Sequence, residues 1–228
     1  MGNLDQLKKA AAIAAVELIQ PNTIVGLGSG TTIKFFIEAL GMLCRRGFAI
    51  QAIASSSRSE ELALHHQIPI VPQDLVNHID VTVDGADVVD EHFCMIKGGG
   101  GALLREKILA KSSKSTIIII DESKLSPLHL HKIPIEISPF SYRLTIQEIQ
   151  QLGFHGDLRN ISNDSLFMTD NDNYIYDLRF PKKIDIKTLH STLISIPGVI
   201  ETGLFYDYAK MLITGLSNGD VDIKYLYH

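Results

Sequence analysis

The chain has 228 residues, a formal net charge of -5, 45% hydrophobic residues and 21% charged residues. That is length for one large domain, or one domain and a small companion, with an ordinary soluble composition. It excludes the basic field that gathers nucleic acid or anionic lipid, so neither is an expected partner. Cys44 and Cys94 are the only cysteines and form no Cys-x-x-Cys pair, so no disulfide framework, zinc site or thiol-redox site is indicated. The start, Met1-Gly2-Asn3-Leu4-Asp5, has neither a basic region nor a signal-type apolar run, and Gln6 breaks the myristoylation pattern. Apolar stretches such as Thr116 to Ile120 are too short to cross a bilayer. A cytoplasmic enzyme or binding protein is expected.

Along the chain, Asn3 caps a helix expected to reach Gln20, with Leu4, Leu7, Ala11, Ala14, Ala15 and Leu18 on one face and Pro21 as its stop. Thr23 to Leu27 reads as a short buried strand. After the turn Gly28-Ser29-Gly30 comes a second helix, with Ile33, Phe36, Ile37 and Leu40 at helical spacing. Ile50 to Ala54 is a strand, and Ser57-Arg58-Ser59-Glu60 is a capping box opening a helix over 58–66. Ile68 to Val71 and Val81 to Val83 are further strands. Met95-Ile96 leads into a glycine run, Ala102 to Lys111 is a helix, and Thr116 to Ile120 is a β-branched strand ending at Asp121. This alternation predicts a mostly parallel sheet covered on both faces.

From residue 131 the texture changes. Pro134 to Ile137 is a strand and Tyr142 to Leu152 a helix. Leu166 to Thr169 and Tyr174 to Leu178 flank Asp170-Asn171-Asp172-Asn173 as a hairpin. Ile184 to Ile194 is a helix and Gly203 to Tyr206 a strand, giving an α+β module. Lys210 to Tyr225 alternates as one or two strands.

Ligands of open parallel sheets bind at the carboxyl ends of the strands. Four polar segments follow expected strands: Gly28-Ser29-Gly30-Thr31-Thr32, Asp84-Gly85-Ala86-Asp87, Lys97-Gly98-Gly99-Gly100-Gly101 and Asp121-Glu122-Ser123-Lys124. A parallel sheet would gather all four in one crevice. In the first, glycines admit a ligand to the backbone, a helix start offers N–H groups and hydroxyls add donors, which suits a phosphate. It is not the dinucleotide fingerprint, because Thr31 stands where the third glycine belongs. The bland alternative is a tight strand-to-helix turn.

The run Gly98 to Gly101 suits a backbone bed for a substrate, with Lys97 stabilising a negative oxygen; a flexible loop is the alternative. Glu106 is either a helical glutamate pairing with Lys107 or Lys111, or a catalytic base placed beside the glycines. Asp84 and Asp87 are turn formers, or acids that bind hydroxyls and move protons. His65, His66, His129 and His131 lack the carboxylates of a metal cluster, and His92, between Asp87 and Lys97, lines the crevice or, as its surroundings favour, sits in a surface loop.

Together these residues resemble the ribose-5-phosphate isomerase type A family. The likeness rests on Gly26 to Thr32, Asp84 to Asp87, Lys97 to Lys107, Thr169-Asp170-Asn171, Ile196-Pro197-Gly198-Val199 and Gly203-Leu204-Phe205, in order over nearly the whole chain. Val88 and Leu104 depart from residues usual in the family, neither at a position with expected chemistry. The resemblance implies interconversion of ribose 5-phosphate and ribulose 5-phosphate through an enediolate, without cofactor or metal. By similarity Glu106 is the general base, and Asp84, Asp87 and Lys97 open the sugar ring and stabilise the enediolate. Lys8, Ser29, Gly30, Thr31, Thr32 and Lys124 hold the substrate, chiefly its phosphate, and Gly85, Ala86, Gly98, Gly99 and Gly100 line it. The implied α/β fold is a Rossmann-like, mostly parallel sheet domain (1–130 and 207–228) interrupted by a smaller α+β, ferredoxin-like domain (131–206). A homodimer or homotetramer is expected. A sugar-phosphate-binding regulatory module and another sugar-phosphate enzyme are the competing readings.

Overall fold

The computed structural model describes residues 3–162, 165–181 and 184–226. The side chain of Asn3, expected as a helix cap, lies outside the described residues, as do Met1 and Gly2. In chain order the first elements are α1 (Asn3–Val16), β1 (Ile24–Leu27), α2 (Thr31–Cys44), β2 (Gln51–Ala54), α3 (Ser57–His65) and β3 (Ile79–Asp84). Two short strands follow, β4 (Val88–Val89) and β5 (Met95–Ile96), then α4 (Leu103–Ser112) and β6 (Ser113–Asp121). Next are β7 (Lys132–Ile137), α5 (Tyr142–Gln151), β8 (Gly156–Leu158), β9 (Asn160–Ser162), β10 (Ser165–Leu166), β11 (Tyr174–Arg179) and α6 (Ile186–Ile194). The last strands are β12 (Val199–Thr202), β13 (Leu204–Phe205), β14 (Met211–Gly215) and β15 (Val221–Tyr225). Internal contacts group Met1–Ala86, Arg105–Lys124 and Tyr208–His228 into one unit, and Asp87–Leu104 with Leu125–Asp207 into another. Asp87–Leu104, which chain order places with the first domain, thus clusters with the second unit.

In the first unit six strands form a sheet in the order β15-β14-β6-β3-β1-β2. Five are parallel, and β15 adds antiparallel on the edge. The apolar run Ile117 to Ile120 is buried along its length, as a strand covered on both faces requires. Ala52 and Ala54 pack with Ala11, Ala15, Ile33 and Phe36 of α1 and α2, whereas Ile53 packs with Ile79 and with Leu109 of α4. Alternate strand residues point to opposite faces, so helices cover both. Of the expected strand Ile68 to Val71 only a single parallel bridge forms, between Ala52 and Ile70. The cap of α3 is Ser56, whose hydroxyl accepts from the Ser59 N–H, and not the capping box expected from Ser57.

The second unit contains an antiparallel sheet in the order β12-β7-β11-β8. Ile133, Ile135 and Ile137 alternate along β7 and pack with Tyr176 and Leu178, Ile149 of α5, and Leu189 and Leu193 of α6. Glu136, out of register with these isoleucines, is completely buried. Its Oε1 accepts from Thr169 Oγ1 (3.0 Å), Asn171 Nδ2 (3.1 Å) and Asn173 Nδ2 (2.9 Å). The turn expected over Asp170 to Asn173 is present, but the hairpin is not: only Met168 and Tyr174 bridge across it, and β11 pairs with β7 and β8. The buried carboxylate holds the turn where a second strand would have. Glu136→Ala strands three donors and is expected to cost about 2–4 kcal/mol. Calorimetry should read this as a melting point lower by roughly 5–15 °C; an unchanged melt would show the network to be dispensable.

Candidate functional site

In the first unit the ends of β1, β3 and β6 lie side by side in the sheet. Gly28 donates its N–H to the Val83 carbonyl at 2.9 Å. A Cβ on Gly28 would stand 1.9 Å from Asp84 Oδ1, so only glycine lets that carboxylate rest against the end of β1. Asp84 is 1% exposed. Its Oδ1 accepts from the backbone N–H of Ser29 (3.1 Å) and of Gly85 (2.7 Å). The Ser29 hydroxyl lies 2.8 Å from both the Ser55 and Ser56 hydroxyls, and Ser59 Oγ donates to the Gly28 carbonyl at 2.7 Å. Ser29 is therefore anchored in a cluster of hydroxyls from Ser55, Ser56 and Ser59, of which only Ser59 falls in the capping box expected from the sequence.

Gly30, with φ 106°, occupies backbone space that L side chains rarely adopt, and a Cβ there would meet nothing within 4 Å. Exposed Thr31 and buried Thr32 open α2 behind it, where first-turn N–H groups favour an anion. Lys8 is half-buried on α1, and Lys124 is half-buried in the short turn after β6. Asp121 closes β6, buried, and its Oδ1 accepts from both the N–H and the hydroxyl of Ser123. Glu106 lies in the first turn of α4 and is 5% exposed. Burial separates it from the solvated helical glutamates that merely balance a dipole, because a carboxylate leaves water only when something in the protein replaces it.

In the second unit β5 corrects one expectation. Met95-Ile96 is not a strand of the parallel sheet but pairs antiparallel with β4 and β13. Lys97 and the glycine run therefore do not follow the strand-end rule. β5 is instead the middle strand of a separate three-stranded sheet, β13-β5-β4, secured in part by a strand more than a hundred residues away. The Lys97 N–H donates to the Gly203 carbonyl at 2.9 Å. A Cβ on Gly203 would stand 2.2 Å from the Lys97 carbonyl oxygen, which explains that glycine. Lys97 is 3% exposed, and its Nζ lies 5.5 Å from the Phe205 ring centroid.

Exposed Asp87 accepts the Gly99 N–H on Oδ2 at 2.7 Å. Arg159, a residue absent from the sequence expectations, donates to the carbonyls of Gly98 (2.8 Å) and Gly99 (3.0 Å). The glycine run is thus held, not loose. Gly98 is buried, while Gly99 and Gly100 are exposed. His92 is exposed, as expected of a surface loop. Cys94 is pushed up to about 11 by burial and then by the Asp90 and Asp207 charges, so its thiol stays protonated at neutral pH and makes a poor nucleophile. Among the described residues no three His, Cys, Asp or Glu gather as a metal site, and no helix is long and apolar enough to cross a membrane.

A parallel sheet covered on both faces, with a buried carboxylate and a glycine-opened helix start at its strand ends, defines an α/β protein equipped for acid–base chemistry on a small anion. The model of the ribose 5-phosphate isomerase A (phosphoriboisomerase A) family matches residues 51–219. The ribose-5-phosphate isomerase A of Protochlamydia amoebophila (strain UWE25) is 50% identical over 215 residues, covering 93% of this chain and 92% of that protein. A D-ribose-5-phosphate isomerase solved in complex with phospho-erythronic acid superposes with a TM-score of 0.92 at 37% identity, over 99% of this chain and 100% of that one. Ribose 5-phosphate isomerase from Plasmodium falciparum has a TM-score of 0.92 at 33% identity, with the same coverage. The chain belongs to the ribose 5-phosphate isomerase A family.

Proposed function

We propose that Glu106 is the general base in the interconversion of ribose 5-phosphate and ribulose 5-phosphate, the reaction that family membership assigns to this chain. The observation that carries this role is a carboxylate 5% exposed in the first turn of a helix directly after the glycine run. Glu106 takes the proton from C2 of the open-chain aldose, leaving an enediolate. The proton it holds exchanges with solvent while the enediolate lasts, and Glu106 then delivers a proton to C1 as the O2 hydroxyl proton passes to O1. C2 then carries the ketone and C1 the alcohol, with no net oxidation. A base that both accepts and donates must be kept from bulk water, which burial achieves.

Asp84 and Asp87 bind sugar hydroxyls and assist ring opening, and Lys97 stabilises the charge developing on the enediolate oxygen. Ser29, Gly30, Thr31, Thr32, Lys8 and Lys124 hold the substrate, chiefly its phosphate, using the open helix start at Gly30. Gly85, Ala86, Gly98, Gly99 and Gly100 line the substrate with backbone. The reading includes a cytoplasmic homodimer or homotetramer that binds no nucleic acid. The net charge of -5 supports the last point. Exposed Phe140 (86%) and Leu144 (64%) in the second unit give assembly an apolar surface.

The test is isomerisation in heavy water with a chelator present. Deuterium is expected at C1 of the ribulose 5-phosphate formed. Turnover with no solvent label would replace the enediolate by a direct hydride shift. Binding without turnover would favour the regulatory module.

A further inference from the structure

Arg159 lies between β8 and β9, and its main chain is fixed on both sides. Its N–H donates to the Ile175 carbonyl at 2.8 Å, and its carbonyl accepts the Phe167 N–H at 2.9 Å. Its side chain forms a fork onto Asp177 of β11, with Nε at 2.9 Å from Oδ2 and Nη2 bonded to Oδ1. That leaves Nη1 aimed at the carbonyls of Gly98 and Gly99, some 60 residues back in the chain. The guanidinium also lies 5.4 Å from the Phe167 ring centroid, and a Cβ on Gly101 would stand 2.4 Å from Cε1 of that ring. Asp177, Arg159 and Phe167 together form a buttress behind the glycine run.

The Gly98 carbonyl and the Gly99 N–H belong to one peptide plane. Arg159 grips its oxygen, and Asp87 grips its hydrogen. The Gly99 carbonyl belongs to the same plane as the Gly100 N–H, so the Arg159 contact also sets the direction of that amide. A cation bonded to a peptide oxygen polarises the group and strengthens the donor on its far edge. Gly100 itself is open, since a Cβ there would meet nothing within 4 Å. Lysine could not replace this arrangement, because one ammonium cannot hold a planar fork on a carboxylate and bridge two carbonyls as well.

We propose that Arg159 is a positioning residue for the isomerisation: it orients and polarises the Gly98–Gly100 peptides so that the Gly100 N–H donates to the substrate oxygen that gains negative charge. The inference rests on the isomerase reading for its kinetics but not for its structural consequence. The test compares wild type, Arg159→Lys and Arg159→Ala by steady-state kinetics, circular dichroism and mass-spectrometric amide exchange over Gly98 to Gly101. Arg159→Lys is expected to stay folded, to lose ~10–100-fold in kcat, as small misplacements in a site do, and to keep KM nearly unchanged. Its glycine-run amides should exchange faster. Arg159→Ala should regain part of its kcat on addition of guanidinium ion.

A folded Arg159→Lys enzyme with wild-type kcat would overturn the proposal. So would a loss of kcat matched by an equal loss of folded protein. If the wild type fails to isomerise ribose 5-phosphate, the functional reading is what falls. Amide exchange then decides the role of Arg159 alone, and unchanged exchange overturns it.

Discussion

Glu106→Gln is expected to lower kcat by ~10²–10⁴, the usual size of a general-base contribution, or about 3–5 kcal/mol of barrier. Glutamine has nearly the same volume and keeps one carbonyl acceptor, so the packing around this buried position in α4 should survive. KM should change little, since the base acts on a C–H bond that binds nothing in the ground state. Kinetics should be paired with solvent exchange. In the variant, washout of deuterium from C2 should slow in step with kcat. A glutamine enzyme that turns over and exchanges like wild type would remove Glu106 from the chemistry and leave its burial a matter of folding. A variant that fails to fold would appear in the melting curve and not only in the rate.

Lys97→Met is expected to cost ~10²–10³ in kcat, the size measured when one preorganised donor to a developing oxyanion is removed. Methionine retains the length of the stem and can still lie against the Phe205 ring, where the Lys97 ammonium now sits 5.5 Å from the centroid. The Lys97 N–H bond to Gly203 is a main-chain contact and does not depend on the side chain. Loss of rate should therefore exceed what any loss of folded protein accounts for. The opposite pattern, a lower melting point with kcat intact, would make Lys97 a structural cation over an aromatic ring.

The motifs of the sequence divide into two groups once coordinates are present. Gly28, Asp84, Glu106 and Lys97 remain candidates for chemistry because each is buried or sets a buried charge in place. Other motifs of the same resemblance are scaffold. Gly203 is required because a Cβ would strike the Lys97 carbonyl. Gly198, with φ 92°, faces Thr145 Oγ1 at 2.2 Å from a would-be Cβ. Thr169 and Asn171 supply donors to the buried Glu136 carboxylate. Residue type and spacing make all of these look alike, since a glycine reserved for a ligand and a glycine reserved for a neighbouring strand have the same composition.

Elements with strong periodicity were legible: α2, α5, α6 and β6 stand within a few residues of their expected places. The weak ones were not. β5 reads like any short apolar step before a loop, and its antiparallel partner β13 lies more than a hundred residues later. Strand β12 and the short β8, β9 and β10 carried no alternation long enough to see. Arg159 sits in one of these unmarked stretches, and its function depends on carbonyls 61 and 60 positions away. No local signal encodes such a contact.

Composition and spacing alone thus established an alternating α/β chain without a basic field, and a set of acids, lysines and glycines in an order suited to proton transfer on an anionic substrate. Those properties are local, set by a dozen neighbouring residues at a time. Tertiary packing decided that Glu106 and Asp84 leave water, that Lys97 follows a strand of a different sheet from the one Asp84 ends, and that the glycine run is clamped by Arg159 and Asp87. Desolvation and long-range hydrogen bonds arise only when distant segments meet, and for that reason they cannot be read from the order of residues.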